Sequence, residues 1–395
     1  MAFRRHRLEA IDRFLKDRYV DAGRLPGTFL LVARGGEVVH RSIQGHADVA
    51  QDRPLEEDTI FRIYSMTKPI TSVALMMLWE EGAFALDDPV HRYIPEWQNL
   101  GVFAGGTAKT GFLTTPAARP MTVLDLLRHT SGLTYGFQLR TNVDAAYRHA
   151  KIGEIEKAGT LGGMIEALAK IPLEFSPGEA WNYSVATDVC GWLVERLSGM
   201  PLDMFLRTRI FEPLGMADTG FCVRTGAGHR LATCYQPKKG GGIAVQDQAE
   251  TSSFLAAPTF LSGGGGLVGT AADYLDFVES LRTGAHDLLG RKTFALMTAN
   301  HLPGGVDLPA LSRSLFSEAA YSGVGFGLGF ATTTDWVKTG LAGNNGDWFW
   351  GGAASTFFWC DPQEELSVVF MTQLIPSSTW PIRRELRQML YAALA

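Results

Sequence analysis

The sequence predicts a two-domain α/β protein. An antiparallel sheet flanked by helices is expected from residues 1–62 and 222–395. A mainly helical domain over residues 63–221 is inserted between those halves, leaving a cleft where the two meet. Three observations lead to this reading. Strand-like segments occur near both ends, the middle has helical periodicity, and 395 residues suffice for two cores.

Taken in order, Phe3, Leu8, Ile11, Phe14 and Leu15 recur at the spacing of an amphipathic first helix. Residues 28–34 and 38–45 read as strands joined at Gly35-Gly36, a hairpin. Next comes Ser65-Met66-Thr67-Lys68, followed by Ile70, Val73, Ala74, Met77, Leu78 and Glu81 at helical spacing. From about residue 86 to 214 the pattern stays largely helical. A short helix over 121–129 is closed by Thr130-Ser131-Gly132, and another over 164–170 stops near Pro172. A third carries Val185, Val189, Trp192, Leu193 and Leu197, with Gly199 as its C-terminal stop. Residues 101–120, rich in Gly, Thr and Ala, read as an extended surface loop. Towards the C-terminus, residues 326–332, 348–350, 355–360 and 366–372 are strand-like, with Asp361-Pro362 as a turn. A helix over 381–394 closes the chain.

Composition excludes several function classes. The chain is 46% hydrophobic and 19% charged with a net charge of -5, and no Lys/Arg cluster offers a track for nucleic-acid phosphates. The longest apolar run, residues 73–79, is too short to span a bilayer. Arg4 and Arg5 are followed by Glu9, Asp12, Arg13, Lys16 and Asp17 instead of the apolar core of an export signal, so a cytoplasmic location is expected. Cys190, Cys222, Cys234 and Cys360 fit no metal or redox spacing and read as reduced structural thiols; no metal and no cofactor is expected.

Three features carry chemistry. A serine hydroxyl is a weak nucleophile at neutral pH and needs a neighbour to take its proton. Lys68, one helical turn from Ser65, can do so, and no other lysine in the chain has a serine three residues before it. Tyr183 follows the Pro177-Gly178 turn and precedes Ser184, a candidate helix cap. Near a lysine its phenol would be drawn towards phenolate and could serve as base and then acid. Trp350-Gly351-Gly352-Ala353 ends a short strand whose glycines permit close approach. Its last amide could join that of Ser65 in stabilising an oxyanion.

In this combination the chain resembles the serine β-lactamase and penicillin-binding-protein superfamily, specifically its class C-like carboxylesterase branch, family VIII. The resemblance rests on Tyr64-Ser65-Met66-Thr67-Lys68, residues 126–133 (LLRHTSGL), Pro177-Gly178 with Tyr183-Ser184, residues 211–216 (FEPLGM), residues 263–269 and the Trp350-Gly351-Gly352 strand. It implies a β-lactamase-like fold with Ser65 as acylated nucleophile, Lys68 as proton partner and Tyr183 as acid/base. The amides of Ser65 and Ala353 would form the oxyanion hole, and Trp350, Gly351 and Gly352 would line the substrate. Val185 stands where many relatives carry an asparagine, so that amide contact is absent or comes from elsewhere. The third motif has a rival copy in Lys338-Thr339-Gly340. Trp350-Gly351-Gly352 is preferred because two strands and the final helix follow it, whereas Lys338 is followed by the turn Gly343-Asn344-Asn345-Gly346. A cation in that strand would help hold the carboxylate of a penicillin or peptidoglycan stem. The apolar face of a tryptophan suits neutral short-to-medium acyl esters instead. The expected activity is therefore a carboxylesterase acting on a small-molecule ester. A β-lactamase, a D-alanyl-D-alanine peptidase, an acyltransferase and a non-hydrolysing acylated sensor are the alternatives. Oligomeric state is not readable.

Two patterns are set aside. Residues 264–269 match G-x-G-x-x-G, but no hydrophobic strand precedes them, so a glycine-rich loop leading to a helix near Thr270 is expected. His129 lies near Ser131 at a helix end, where neighbours rarely face each other, and reads as structural. No G-x-S-x-G elbow is present.

Overall fold

A computed structural model of the chain describes residues 3–153, 159–313 and 321–395. Eight antiparallel strands form the main sheet in the spatial order Val324–Phe326, Ala331–Thr333, Trp348–Gly351, Phe357–Asp361, Leu366–Met371, Gly27–Arg34, Glu37–Asp48, Arg53–Pro54. The N-terminal hairpin is thus sewn to the C-terminal strands through Gly27–Arg34, whose Leu30 faces Phe370 and whose Val32 faces Val368. The turn at Gly35 and Gly36 is made with positive φ at both residues.

Side chains alternate across the sheet with period two, and both faces are covered. Leu30, Val32, Phe357, Trp359, Val368 and Phe370 pack under the helices Arg5–Leu15 and Ile382–Ala393, against Leu8, Ile11, Leu386 and Leu390. Phe29, Leu31, Phe358, Cys360, Val369 and Met371 enter the larger core, which includes residues of the helices Thr67–Glu80, Ala186–Ser198 and Ala271–Thr283. Coverage on both faces is why 366–371 is a nearly continuous apolar run. The Thr67–Glu80 helix is buried on every side from Thr67 to Leu78, so the periodicity in its sequence marks a central helix, not one with a wet face.

Helix ends follow local chemistry. Thr122 and Asp125 make a capping box for Val123–Leu127, and Thr141 and Asp144 another for Asn142–His149. Gly199 ends Ala186–Ser198 at φ 70°. Ser184 lies one residue before the N-cap, Val185, yet its hydroxyl accepts from the first helical amide, Ala186, at 3.3 Å.

Two expectations are corrected. Residues 101–120 are not an open loop: Val102–Thr107 pairs with Gly111–Thr115 as a hairpin. Phe103 meets Phe112 edge-on at 6.0 Å, and the Phe103 amide bonds the Leu173 carbonyl at 2.8 Å. Glycine content masked the β-forming Thr, Phe and Leu between. Residues 326–332 are not one strand either. The chain turns at Gly327, where a Cβ would collide with the Met297 carbonyl, and at Gly329, φ 93°, giving two short strands. All four cysteines are unpaired, three of them buried. Among the described residues no helix is long and apolar enough to cross a membrane.

Asp125 is buried, closes its helix cap, and accepts from Arg119, Arg128 and Thr130 just before the segment that enters the site. Asp125→Ala strands those partners, so urea unfolding should show a loss of about 3 kcal/mol.

Candidate active site

Ser65 lies in the short 3₁₀ turn Tyr64–Met66 that feeds the Thr67–Glu80 helix. Tyr64, just before it, has φ 42°, a left-handed conformation that a tyrosine adopts only under constraint from its surroundings. That constraint is visible. Residues 263–267 run alongside this turn, with Leu267 N–H donating to Thr67 Oγ1 at 3.2 Å and Thr71 Oγ1 donating to the Gly263 carbonyl at 2.8 Å. The glycines make the approach possible: a Cβ on Gly263 would lie 2.8 Å from the Thr187 carbonyl oxygen, and one on Gly264 would strike Asp188. The G-x-G-x-x-G match is therefore a packing loop, and its helix begins at Thr270 as expected.

Lys68 is fully buried beneath Ser65. Its Nζ donates to Ser65 Oγ at 3.2 Å, to Tyr135 Oη at 3.0 Å and to the Gly264 carbonyl at 2.6 Å. Burial withdraws the ammonium from water and pulls its pKa from 10.5 to about 7, while the Asp188 carboxylate pushes the other way. The neutral amine is thus accessible near neutrality. The Gly264 carbonyl can only accept, so the amine keeps one proton on it and can aim its lone pair at a hydroxyl such as that of Ser65.

Tyr183 converges on the same point. Trp350 Nε1–H donates to its hydroxyl at 3.4 Å, and Ser65 is a neighbour that lowers its pKa. Lys68 Nζ lies 4.5 Å from the centre of its ring. Burial raises the Tyr183 pKa well above its ordinary value, overcoming the lowering contacts from Ser65 and Trp350. The resting proton distribution therefore differs from the sequence expectation: the phenol stays protonated and the amine is the group near its neutral form.

The Trp348–Gly351 strand ends against the segment that leads into the Ser65 turn. A Cβ on Gly352 would sit 2.4 Å from the Ile63 carbonyl oxygen, so only glycine lets Ala353 follow this closely. Trp350 is 8% exposed, packed on Phe326 at 5.2 Å and Tyr183 at 5.5 Å; it braces Tyr183 more than it offers an open wall. The rival Lys338-Thr339-Gly340 lies elsewhere, on the short helix Trp336–Thr339, with the Lys338 side chain 64% exposed beside Asp335. Val185 is wholly buried and offers a substrate nothing polar. His129, φ 59°, is buried among Trp181, Tyr183 and Phe326, with Nδ1 3.2 Å from Ser184 Oγ.

Three contributors escaped the sequence reading. The Tyr135 hydroxyl accepts from Lys68, and the Gly264 carbonyl fixes the amine. Asp188 accepts from Gly264 N–H at 3.0 Å and from Ser262 Oγ, holding the glycine loop while supplying negative charge near Lys68. An aspartate inside the apolar run Val185, Ala186, Val189, Cys190 was a readable sign of Asp188; nothing in the sequence marked Gly264 as a ligand to the amine. Among the described residues no His, Cys, Asp and Glu cluster could hold a metal.

Residues 11–388 match the Beta-lactamase family. The chain is 32% identical to esterase EstB of Burkholderia gladioli over 404 aligned residues, covering 98% of this chain and 95% of EstB. Among solved structures it is similar to EstCE1, described as a hydrolase with promiscuous acyltransferase activity. That likeness has TM-score 0.82 and 29% identity, over 98% of this chain and 99% of that one. Simvastatin synthase (LovD) of Aspergillus terreus shares the fold, with TM-score 0.82 at 24% identity over 98% and 97% of the two chains.

The depressed pKa of Lys68 has a consequence for stability. Between pH 7 and 10.5 the unfolded chain holds a proton at Lys68 that the native chain has shed, so this group's contribution rises with pH. Lys68→Met lacks that dependence. Its stability advantage over the parent, read from urea midpoints, should be greatest below pH 7 and shrink steadily towards pH 9.5.

Proposed function

We propose, from the premise that this chain belongs to the Beta-lactamase family, that it is a serine carboxylesterase of the family VIII type working through a Ser65 acyl-enzyme. The observation that carries this reading is the convergence of the Ser65 hydroxyl and the Tyr183 ring on the one buried amine of Lys68. Neutral Lys68 takes the Ser65 proton as Oγ attacks the ester carbonyl. The amides of Ser65 and Ala353 receive the oxyanion. The Tyr183 phenol, still protonated, gives its proton to the departing alkoxide and regains one from the Lys68 ammonium. Water then enters along the reverse path, freeing the acid and restoring Ser65. Relatives named as esterases, EstB among them, support the ester as substrate. The absence of a cation on the Trp348–Gly351 strand favours neutral esters over penicillin-like carboxylates. Acyl transfer to an added alcohol is a second outcome of the same acyl-enzyme, favoured by the likeness to EstCE1. The split of product between acid and new ester measures it.

Ser65→Ala should lower kcat on p-nitrophenyl butyrate by about 10⁶. A fluorophosphonate should add to Ser65 in the parent, seen by intact mass, and not in the variant. Normal turnover by Ser65→Ala would end the proposal. Tyr183→Phe should cost about 10²–10⁴. In the parent, kcat/KM should climb with pH through about 7 as Lys68 loses its proton, then level; a flat profile from pH 5 to 9 would remove Lys68 as the base.

A further inference from the structure

With Trp350 nearly buried, the apolar surface a substrate would meet has to come from elsewhere. The turn after Tyr135 supplies one. Gln138 is buried, its Nε2 donating to the Tyr183 carbonyl at 2.6 Å, and Arg140 reaches both Gln138 and Asn182, the latter at 2.8 Å. The turn is thereby clamped to the segment that carries Tyr183. On either side of this anchor are two large apolar side chains with exposed area: Phe137, 50% exposed, and Leu139, 72% exposed. Phe137 stacks on Tyr135 at 4.7 Å with rings 21° apart, and Tyr135 in turn bonds Lys68. Leu139 is held at φ 54°, ψ 39°, a left-handed conformation unfavourable for a leucine. Strain and exposed apolar area each cost free energy, and both are concentrated in a turn fastened to the catalytic tyrosine.

We infer that Phe137 and Leu139 form a fixed apolar ledge at the mouth of the site that binds an aromatic or extended alkyl group of the ester. The inference rests on the esterase reading and narrows its substrate class. Covering either the half-open ring or the leucine on binding amounts to about tenfold in selectivity for each. The clamp through Gln138 keeps the ledge ordered before substrate arrives, so little of that gain is lost to ordering side chains.

Two substrate series separate the sources of the apolar group. One lengthens the acyl chain of p-nitrophenyl esters from acetate to octanoate. The other keeps acetate and enlarges the alcohol from methyl to naphthyl. The ratio of kcat/KM between largest and smallest ester is measured for the parent, for Phe137→Ala and for Leu139→Asn, which tolerates the left-handed backbone. The ratio should fall about tenfold in each variant, with kcat/KM on the smallest ester nearly unchanged and Phe137→Leu restoring most of the loss. A fall confined to the first series assigns the ledge to the acyl group, and one confined to the second assigns it to the alcohol. Unchanged ratios in both series, or an equal drop on every ester, overturn the ledge while leaving Ser65 chemistry intact. A parent that turns over no ester, with no fluorophosphonate adduct on Ser65, removes both readings. Should Phe137→Ala fail to fold, the surface change Leu139→Asn decides alone.

Discussion

Everything at this site depends on keeping the amine of Lys68 dry while satisfying it. A buried ammonium without partners is costly enough that the group sheds its proton instead. Here three oxygens receive it, from Ser65, Tyr135 and Gly264, and the Asp188 carboxylate offsets part of the burial. The balance leaves the pKa at about 7, where one side chain can be base and conjugate acid within a single turnover. Full exposure would restore an ordinary lysine, protonated and inert as a base.

That environment is built by close backbone approach. Thr67 and Thr71 bind the glycine loop to the Thr67–Glu80 helix, Asp188 anchors it from the Ala186–Ser198 helix, and Gly264 delivers its carbonyl to the amine. On the opposite side, Gly352 brings the end of a sheet strand against Ile63. Tyr64, strained at φ 42°, is where these approaches meet. The sheet pairs the N-terminal hairpin with the C-terminal strands, and Gly351, opposite Phe357, ends one of those strands.

How much of this the sequence disclosed follows from the range of each signal. Ser65, Lys68, Tyr183 and Trp350-Gly351-Gly352 were legible because each sits in a local pattern: a one-turn spacing, a Pro-Gly turn, a glycine pair ending a strand. Tyr135 was not, since a tyrosine in a buried segment has no short-range mark of its partner; Asp188 stood out as an aspartate in an apolar run, but its partner Gly264 lies 76 positions away. The Gly264 carbonyl has no side-chain signature at all. The sheet strands 366–371 and 27–34 were plain from their apolar runs, while the 102–115 hairpin hid behind its glycines and the strand after residue 323 broke at a turn. Proton distribution was least legible. A lysine beside a tyrosine suggests a phenolate, yet burial acts on both groups and favours the neutral pair.

A cation is nonetheless present behind the strand that lacks one. Gly351 has no Cβ, and in that space lies the Arg383 guanidinium, from the Ile382–Ala393 helix, 5.4 Å from the ring of Phe357. Phe357 belongs to the sheet face under the terminal helices, whereas Trp350 belongs to the other core, so the charge stands on the far side of the strand from Trp350. Its field still reaches Tyr183 and eases deprotonation of the phenol. In the proposed mechanism, that ordering of charges would suit proton donation to an alkoxide: a neutral phenol at rest, with Arg383 and a newly protonated Lys68 both favouring phenolate as its proton leaves. A lysine on the strand itself would lie open to a substrate carboxylate and would select for one. Set behind it, the arginine acts on Tyr183 from the far side of the strand.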